Sequence, residues 1–180
     1  MRCSLVALAP VASALMQFRA PLVADGYAAK TAGDALLVYL PGFDGANLAP
    51  FLQWPALHDA GFDVRCASID EDDRSTFDEL VTAASSYIER EACDRPCLLV
   101  GESFGGALAT MVAQRAVSVE GVVLVNPATC YAESALASKA PPILELPAWA
   151  YYVGLASLLP LFVDRHGVRA LFDIVTNKRL

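Results

Sequence analysis

After the apolar run Cys97-Leu98-Leu99-Val100 the chain reads Gly101-Glu102-Ser103-Phe104-Gly105-Gly106, and a helical pattern begins at once. A strand that turns this abruptly into a helix holds the residue at the bend in a strained conformation. The positions flanking the bend leave no room for a β-carbon, a need that Gly101 and Gly105 meet, while Gly106 lets the helix lie close to the sheet. Ser103 then stands at a helix start, where the positive end of the backbone dipole favours developing negative charge. In this strand–turn–helix setting the G-x-S-x-G spacing marks Ser103 as a candidate nucleophile. The bland alternative is a Gly-rich turn whose serine merely caps the helix.

The surrounding pattern supplies the rest of the sheet. Ala35 to Leu40 is an apolar run closed by Pro41-Gly42 and reads as a buried strand. Residues 48–60 give a short helical pattern ending at Gly61. Phe62 to Ile69 alternates, with Val64, Cys66 and Ala67 facing inward, and an acidic loop from Asp70 to Arg74 follows. A helix is then expected with Ser75 as N-cap and Asp78 as its capping partner. Its apolar stripe is Phe77, Leu80, Val81, Ala84, Tyr87 and Ile88. Pro96 ends it ahead of the strand at 97–100. A helix from about Phe104 to Val117, packing through Leu108, Met111 and Val112, leads to a fourth strand at Gly121–Val125, closed by Asn126-Pro127.

Uniformly apolar strands alternating with helices imply an α/β fold: a doubly wound, mostly parallel sheet covered on both faces. Chemistry in such sheets sits beyond the carboxyl ends of the strands. Beyond Leu40 stands Pro41-Gly42-Phe43-Asp44-Gly45. A tetrahedral acyl intermediate needs two preorganised N–H donors for its oxyanion. One is expected from Phe104, the residue after the serine, and the other from Phe43 in this earlier loop. An ordinary strand-to-helix turn would also favour Pro-Gly and Asp-Gly pairs.

Composition narrows the partners. Hydrophobic residues make up 56% and charged residues 18%, which excludes general disorder, and the mean hydropathy of +0.43 leans toward acyl chains or a membrane surface. A net charge of −7 without a Lys/Arg cluster argues against nucleic acid. Cys3, Cys66, Cys93, Cys97 and Cys130 are odd in number and not spaced as a zinc site, and the acidic run at 70–73 is not an EF-hand loop, so no metal and no cofactor is expected. Cys66 and Cys97 read as small buried hydrophobes.

Several stretches together resemble the plant and algal phytyl ester synthase/diacylglycerol acyltransferase family. They are Val38-Tyr-Leu-Pro-Gly-Phe-Asp-Gly45, Phe62-Asp-Val-Arg-Cys66, Asp73-Arg-Ser-Thr-Phe77, Leu99-Val-Gly-Glu-Ser-Phe-Gly-Gly106 and Val125-Asn-Pro-Ala128. The likeness runs over residues 36–165 in the order of that family's N-terminal domain. It implies an α/β-hydrolase fold in a plastid protein that moves fatty acyl groups onto phytol or diacylglycerol, with water as acceptor in an esterase or lipase. The second, glycerolipid-acyltransferase-like domain usual in that family has no counterpart in these residues.

A serine needs a histidine to take its proton and a carboxylate to orient that histidine. Downstream of Ser103 the one histidine is His166, and Asp164 lies too close in sequence to be its partner on a separate strand. His58 reads as a surface residue of a helix. The expectation is therefore a fold incomplete at its C-terminus, with the last strands missing. A rival expectation is an inactive fragment or a non-catalytic lipid-binding module on the same scaffold.

In outline, residues 1–24 suit a targeting leader or an ordinary helix, 25–130 form the core, and 131–180 begin a lid or cap. Within the last, Leu146 to Val163 carries no charge over 18 residues and reads as a lid helix, a membrane-surface helix or a span.

Overall fold

The computed structural model describes residues 16–22, 34–43, 45, 47, 50–70 and 72–130, together with 133, 147, 150 and 153. The chain divides into two compact units, Met1–Thr129 and Cys130–Leu180. In the second, the Glu133 amide donates to the Cys130 carbonyl and the Ala150 amide to that of Pro147.

In the first unit five strands form one sheet: β1 (Gln17–Arg19), β2 (Ala35–Leu40), β3 (Phe62–Ser68), β4 (Cys97–Glu102) and β5 (Val119–Val125). Their spatial order is β1-β3-β2-β4-β5; β1 runs antiparallel to β3 and every other pairing is parallel. Among the described residues three α-helices connect them: α1 (Trp54–Asp59), α2 (Phe77–Ala92) and α3 (Phe104–Arg115). The expected α/β fold with a mostly parallel sheet is found.

Strand β2 lies at the centre because every residue from Leu36 to Leu40 is apolar and both of its faces are covered. Leu36, Val38 and Leu40 pack with Leu99 against Leu80, Val81 and Ile88 of α2 and Leu108 and Val112 of α3. On the other face Leu37 and Tyr39 pack with Val64, Cys66 and Trp54 of α1. From β2 the chain moves outward to β3 and then crosses back past β2 to β4. The direction of winding therefore reverses between β2 and β4, and a crevice opens beyond their carboxyl ends. Leu40 pairs with Gly101 at that end.

Local differences from the sequence reading have identifiable causes. The N-cap of α2 is Thr76, not Ser75, and its partner is Glu79, not Asp78. The Ser75 amide is already engaged by the Asp73 carboxylate at 2.7 Å, which delays the helix by one residue. Thr76 Oγ1 accepts from the Glu79 amide, and the Glu79 carboxylate accepts from the Thr76 amide. Asp78, released from capping, pairs with Arg115 of α3 at 2.6 Å. The helix expected at 48–60 is instead a 3-10 turn at Phe51–Gln53 running into α1, because Pro50 and Pro55 cannot donate to helical bonds.

Met111 of α3 is exposed while Leu108 and Val112 are buried, since the packing stripe passes through positions four apart. The short β1 lies within residues 1–24, read from sequence as a targeting leader or an ordinary helix; Gln17–Arg19 is instead a strand, paired antiparallel with β3. Its Phe18 stacks on Tyr87 of α2 with centroids 3.8 Å apart. At the opposite edge Val122, Val123, Leu124 and Val125 of β5 are exposed.

Opposite the crevice, at the amino ends of the strands, buried Asp63 is held by Arg95 at 2.9 Å and Arg65 at 3.1 Å. Arg95 also donates to the carbonyls of Asp34, Glu91 and Ala92, which ties the end of α2 to the entries of β2 and β3.

Candidate active site

Ser103 occupies the turn between β4 and α3 with φ 50° and ψ −114°, a conformation that costs an L-residue about 1–3 kcal/mol. Its surroundings hold it there. The Ser103 amide donates to the Val125 carbonyl at 3.0 Å, and the Ser103 carbonyl accepts from Gly106 at 3.0 Å and Ala128 at 2.8 Å. Its side chain makes no capping bond to α3, so the hydroxyl is not consumed by the helix it precedes.

Backbone contact around the bend leaves no space for side chains. A β-carbon on Gly101 would lie 2.3 Å from the Gly105 carbonyl oxygen, one on Gly105 would lie 2.1 Å from that of Leu40, and one on Gly106 would lie 2.6 Å from Pro127 Cβ. The start of α3 is therefore pressed directly on the end of β2 and on the segment after β5.

The loop after β2 completes this crevice. The Gly45 amide donates to the Gly42 carbonyl at 3.1 Å, and the Gly45 carbonyl accepts from the Ile69 amide at 3.1 Å, which moors the loop to the end of β3. Phe43 is 71% exposed, and its ring stacks on that of Phe104 with centroids 5.0 Å apart. Phe77 meets Phe104 edge-on with centroids 5.8 Å apart. As first residue of α3, Phe104 carries an N–H with no intrahelical acceptor. Asp44 lies outside the described residues.

A cavity of about 310 Å3 adjoins the stacked pair, lined by Phe43, Ile69, Leu80 and Phe104 with Asp73 and Ser75. Ser103 does not line it, so this space lies beside the elbow and not over the hydroxyl.

The other candidates fall elsewhere. His58 is at the end of α1 that leads into the amino end of β3, opposite the elbow. Its side chain is only 17% exposed, and Nδ1 lies 3.5 Å from Asp59, so it is less superficial than the sequence suggests. Asp164 and His166, and most of Leu146 to Val163, lie outside the described residues. No described helix is long and apolar enough to cross a membrane.

The acidic loop uses its carboxylates internally, Asp70 accepting from the Asp72 amide and Asp73 from that of Ser75, and no metal-binding group occurs among the described residues. Burial pushes the Cys66 thiol well up and that of Cys97 up to about 12, so neither supplies a thiolate at neutral pH.

One contact escaped the sequence reading. The Tyr39 hydroxyl donates to the Glu102 carboxylate, across the strand pair and immediately before Ser103. The signal available was a single polar tip in the apolar run of β2.

The model of the alpha/beta hydrolase family matches residues 15–176. The chain belongs to the alpha/beta hydrolase family. It is 40% identical over 114 residues to phytyl ester synthase 1, chloroplastic, of Arabidopsis thaliana, a match covering 61% of this chain and 16% of that protein. Phytyl ester synthase 2, chloroplastic, of the same plant is 37% identical over 105 residues, covering 56% of this hydrolase-family chain and 15% of that protein. The chain thus spans only about a sixth of the length of the curated relatives it matches. A crystal structure from work on carboxylesterases of Nitrososphaera gargenis is 18% identical, with a TM-score of 0.49 over 62% of this chain and 40% of that one.

Proposed function

We propose that Ser103 is the nucleophile of an acyl transfer on fatty-acyl ester substrates. The observation that carries this is the positive-φ turn at the carboxyl end of β4, with a serine hydroxyl that does not cap the helix behind it. In the first step Ser103 Oγ attacks the acyl carbonyl and its proton passes to a base. The bond to the leaving group then breaks as that group takes the proton, leaving an acyl ester on Ser103. Water or an alcohol then adds to the ester by the same steps reversed. The backbone amides of Phe43 and Phe104 hold the negative oxygen in both steps.

Membership of the alpha/beta hydrolase family supports ester chemistry in general, and the names of the two phytyl ester synthases favour an alcohol such as phytol over water, while diacylglycerol as acceptor rests on the motif resemblance alone. Both are named chloroplastic, which with the Arg- and Ser-bearing, acid-free first 24 residues supports a plastid setting. His166 is the candidate base within this sequence.

A fluorophosphonate probe tests the nucleophile. Labelling of the protein, lost in Ser103→Ala, is expected; labelling that persists in that variant removes the assignment.

A second reading is a non-catalytic lipid-binding module, favoured by the lack of any histidine near Ser103 among the described residues. Hydrolysis of p-nitrophenyl esters by this chain, abolished in His166→Ala, defeats that reading.

A further inference from the structure

We infer that Tyr39 is a positioning residue for the elbow, acting through its hydrogen bond to Glu102. The strained backbone at Ser103 persists only if its surroundings over-determine it. Most of what surrounds it is backbone: the amide and carbonyl bonds to Val125 and Ala128, and the contact of Gly105 with Leu40. The Tyr39–Glu102 bond is a side-chain restraint on the residue that leads directly into the bend.

Register makes this bond available. Tyr39 on β2 pairs with Val100 on β4, so Glu102 is its diagonal neighbour two residues along, a separation that only long side chains bridge. Both side chains point to the α1 face of the sheet, where Leu98 and Val100 also pack. The Tyr39 ring is buried and held edge-on by Trp54 at 5.4 Å, which fixes the direction of its hydroxyl. Glu102 is half-buried, and losing the donor would leave a carboxylate partly desolvated at the mouth of the turn. A phenylalanine would fill the same core as well as tyrosine, so packing alone does not call for the hydroxyl.

The consequence for reactivity rests on the nucleophile reading of Ser103; the consequence for geometry does not, and the test separates them. Residue-resolved hydrogen exchange on the full chain follows the amides of Ser103 and Ala128, whose acceptors define the bend. In Tyr39→Phe and in Glu102→Leu both amides are expected to exchange about tenfold faster, while Ile88 in α2 is unchanged. Glu102→Gln keeps an acceptor oxygen and is expected to stay within about twofold of the parent. Fluorophosphonate labelling should show the same order, with the maximal rate falling and the probe's apparent affinity unchanged.

Unaltered exchange at Ser103 and Ala128 in both disruptive variants, or acceleration in step with Ile88, overturns the inference. Labelling that survives Ser103→Ala discards the nucleophile while leaving the exchange result to decide the role of Tyr39.

Discussion

The Ala128 amide donates to the Ser103 carbonyl at 2.8 Å while the Ser103 amide donates to Val125, so the segment leaving β5 grips the bend through both of its peptide groups. The turn at the head of α3 is thus a product of three neighbouring strand ends, β2, β4 and β5, and not of its own five residues alone.

That dependence predicts an asymmetry among glycines. Gly105→Ala places a methyl group 2.1 Å from the Leu40 carbonyl oxygen, where the obstacle is backbone and cannot swing away. A loss of more than about 3 kcal/mol in urea unfolding is expected, together with loss of probe labelling. Gly61→Ala meets nothing within 4 Å, although its φ of 98° disfavours a side chain. It should cost only about 1 kcal/mol and leave labelling intact. Similar losses for both variants would mean that the close approach of α3 to β2 is not as tight as described.

The capping box of α2 has a pH signature. Hydrogen bonds from Thr76 lower the Glu79 pKa from its ordinary 4.5, so the folded state favours the carboxylate. A depressed folded pKa gives stability that is present above the unfolded pKa and lost as pH falls through the folded one. The melting-temperature difference between the parent and Glu79→Ala should therefore be full near neutrality and shrink below about pH 4. Thr76→Ala is expected to cost about 1 kcal/mol at neutral pH. A Glu79→Ala difference that grows on acidification contradicts the assignment.

The ion cluster at the amino ends of the strands should respond unequally to truncation. Arg95 and Asp63 are both almost completely buried, whereas the Arg65 side chain is 25% exposed. Arg95→Ala takes one of the Asp63 carboxylate's two arginine partners out of a dry site and removes the side-chain donors to the carbonyls of Asp34, Glu91 and Ala92. About 3 kcal/mol of destabilisation is expected. Arg65→Ala should cost under about 1 kcal/mol, because a partly solvated arm contributes little. Denaturant titration of the two variants measures the difference, and equal costs would contradict the ranking.

What could be read from sequence was what depends on short spans of chain. Strands β2 and β4 declared themselves because central parallel strands are apolar on both faces, and α2 because its stripe repeats over four turns. The bend at Ser103 was visible since strand, glycines and helix are contiguous. By contrast, β1 is three residues long and owes its place to Phe18 stacking on Tyr87, a partner far along the chain. The one-residue shift in the cap of α2 came from Asp73 competing for the Ser75 amide. The Tyr39–Glu102 bond depends on the register of β2 against β4, which no local pattern encodes.

Phe43 offers a way to separate the two things its residue contributes to the crevice. Its backbone N–H is one of the two proposed oxyanion donors, whereas its ring, largely exposed and stacked on Phe104, forms part of the wall of the adjoining cavity. Phe43→Ala keeps the amide and removes the ring. An exposed ring leaves little stability to lose, so a change under about 1 kcal/mol is expected, and a small fluorophosphonate should label Ser103 at nearly the parent rate. Each methylene buried against such a wall is worth up to about 0.8 kcal/mol, so losing the ring is expected to cut the preference for long-chain over short-chain acyl esters by about two- to tenfold. The comparison is made with p-nitrophenyl esters of increasing chain length. A collapse of labelling by the small probe would instead show that the ring holds the loop in shape, and an unchanged chain-length preference would place the acyl chain away from this wall.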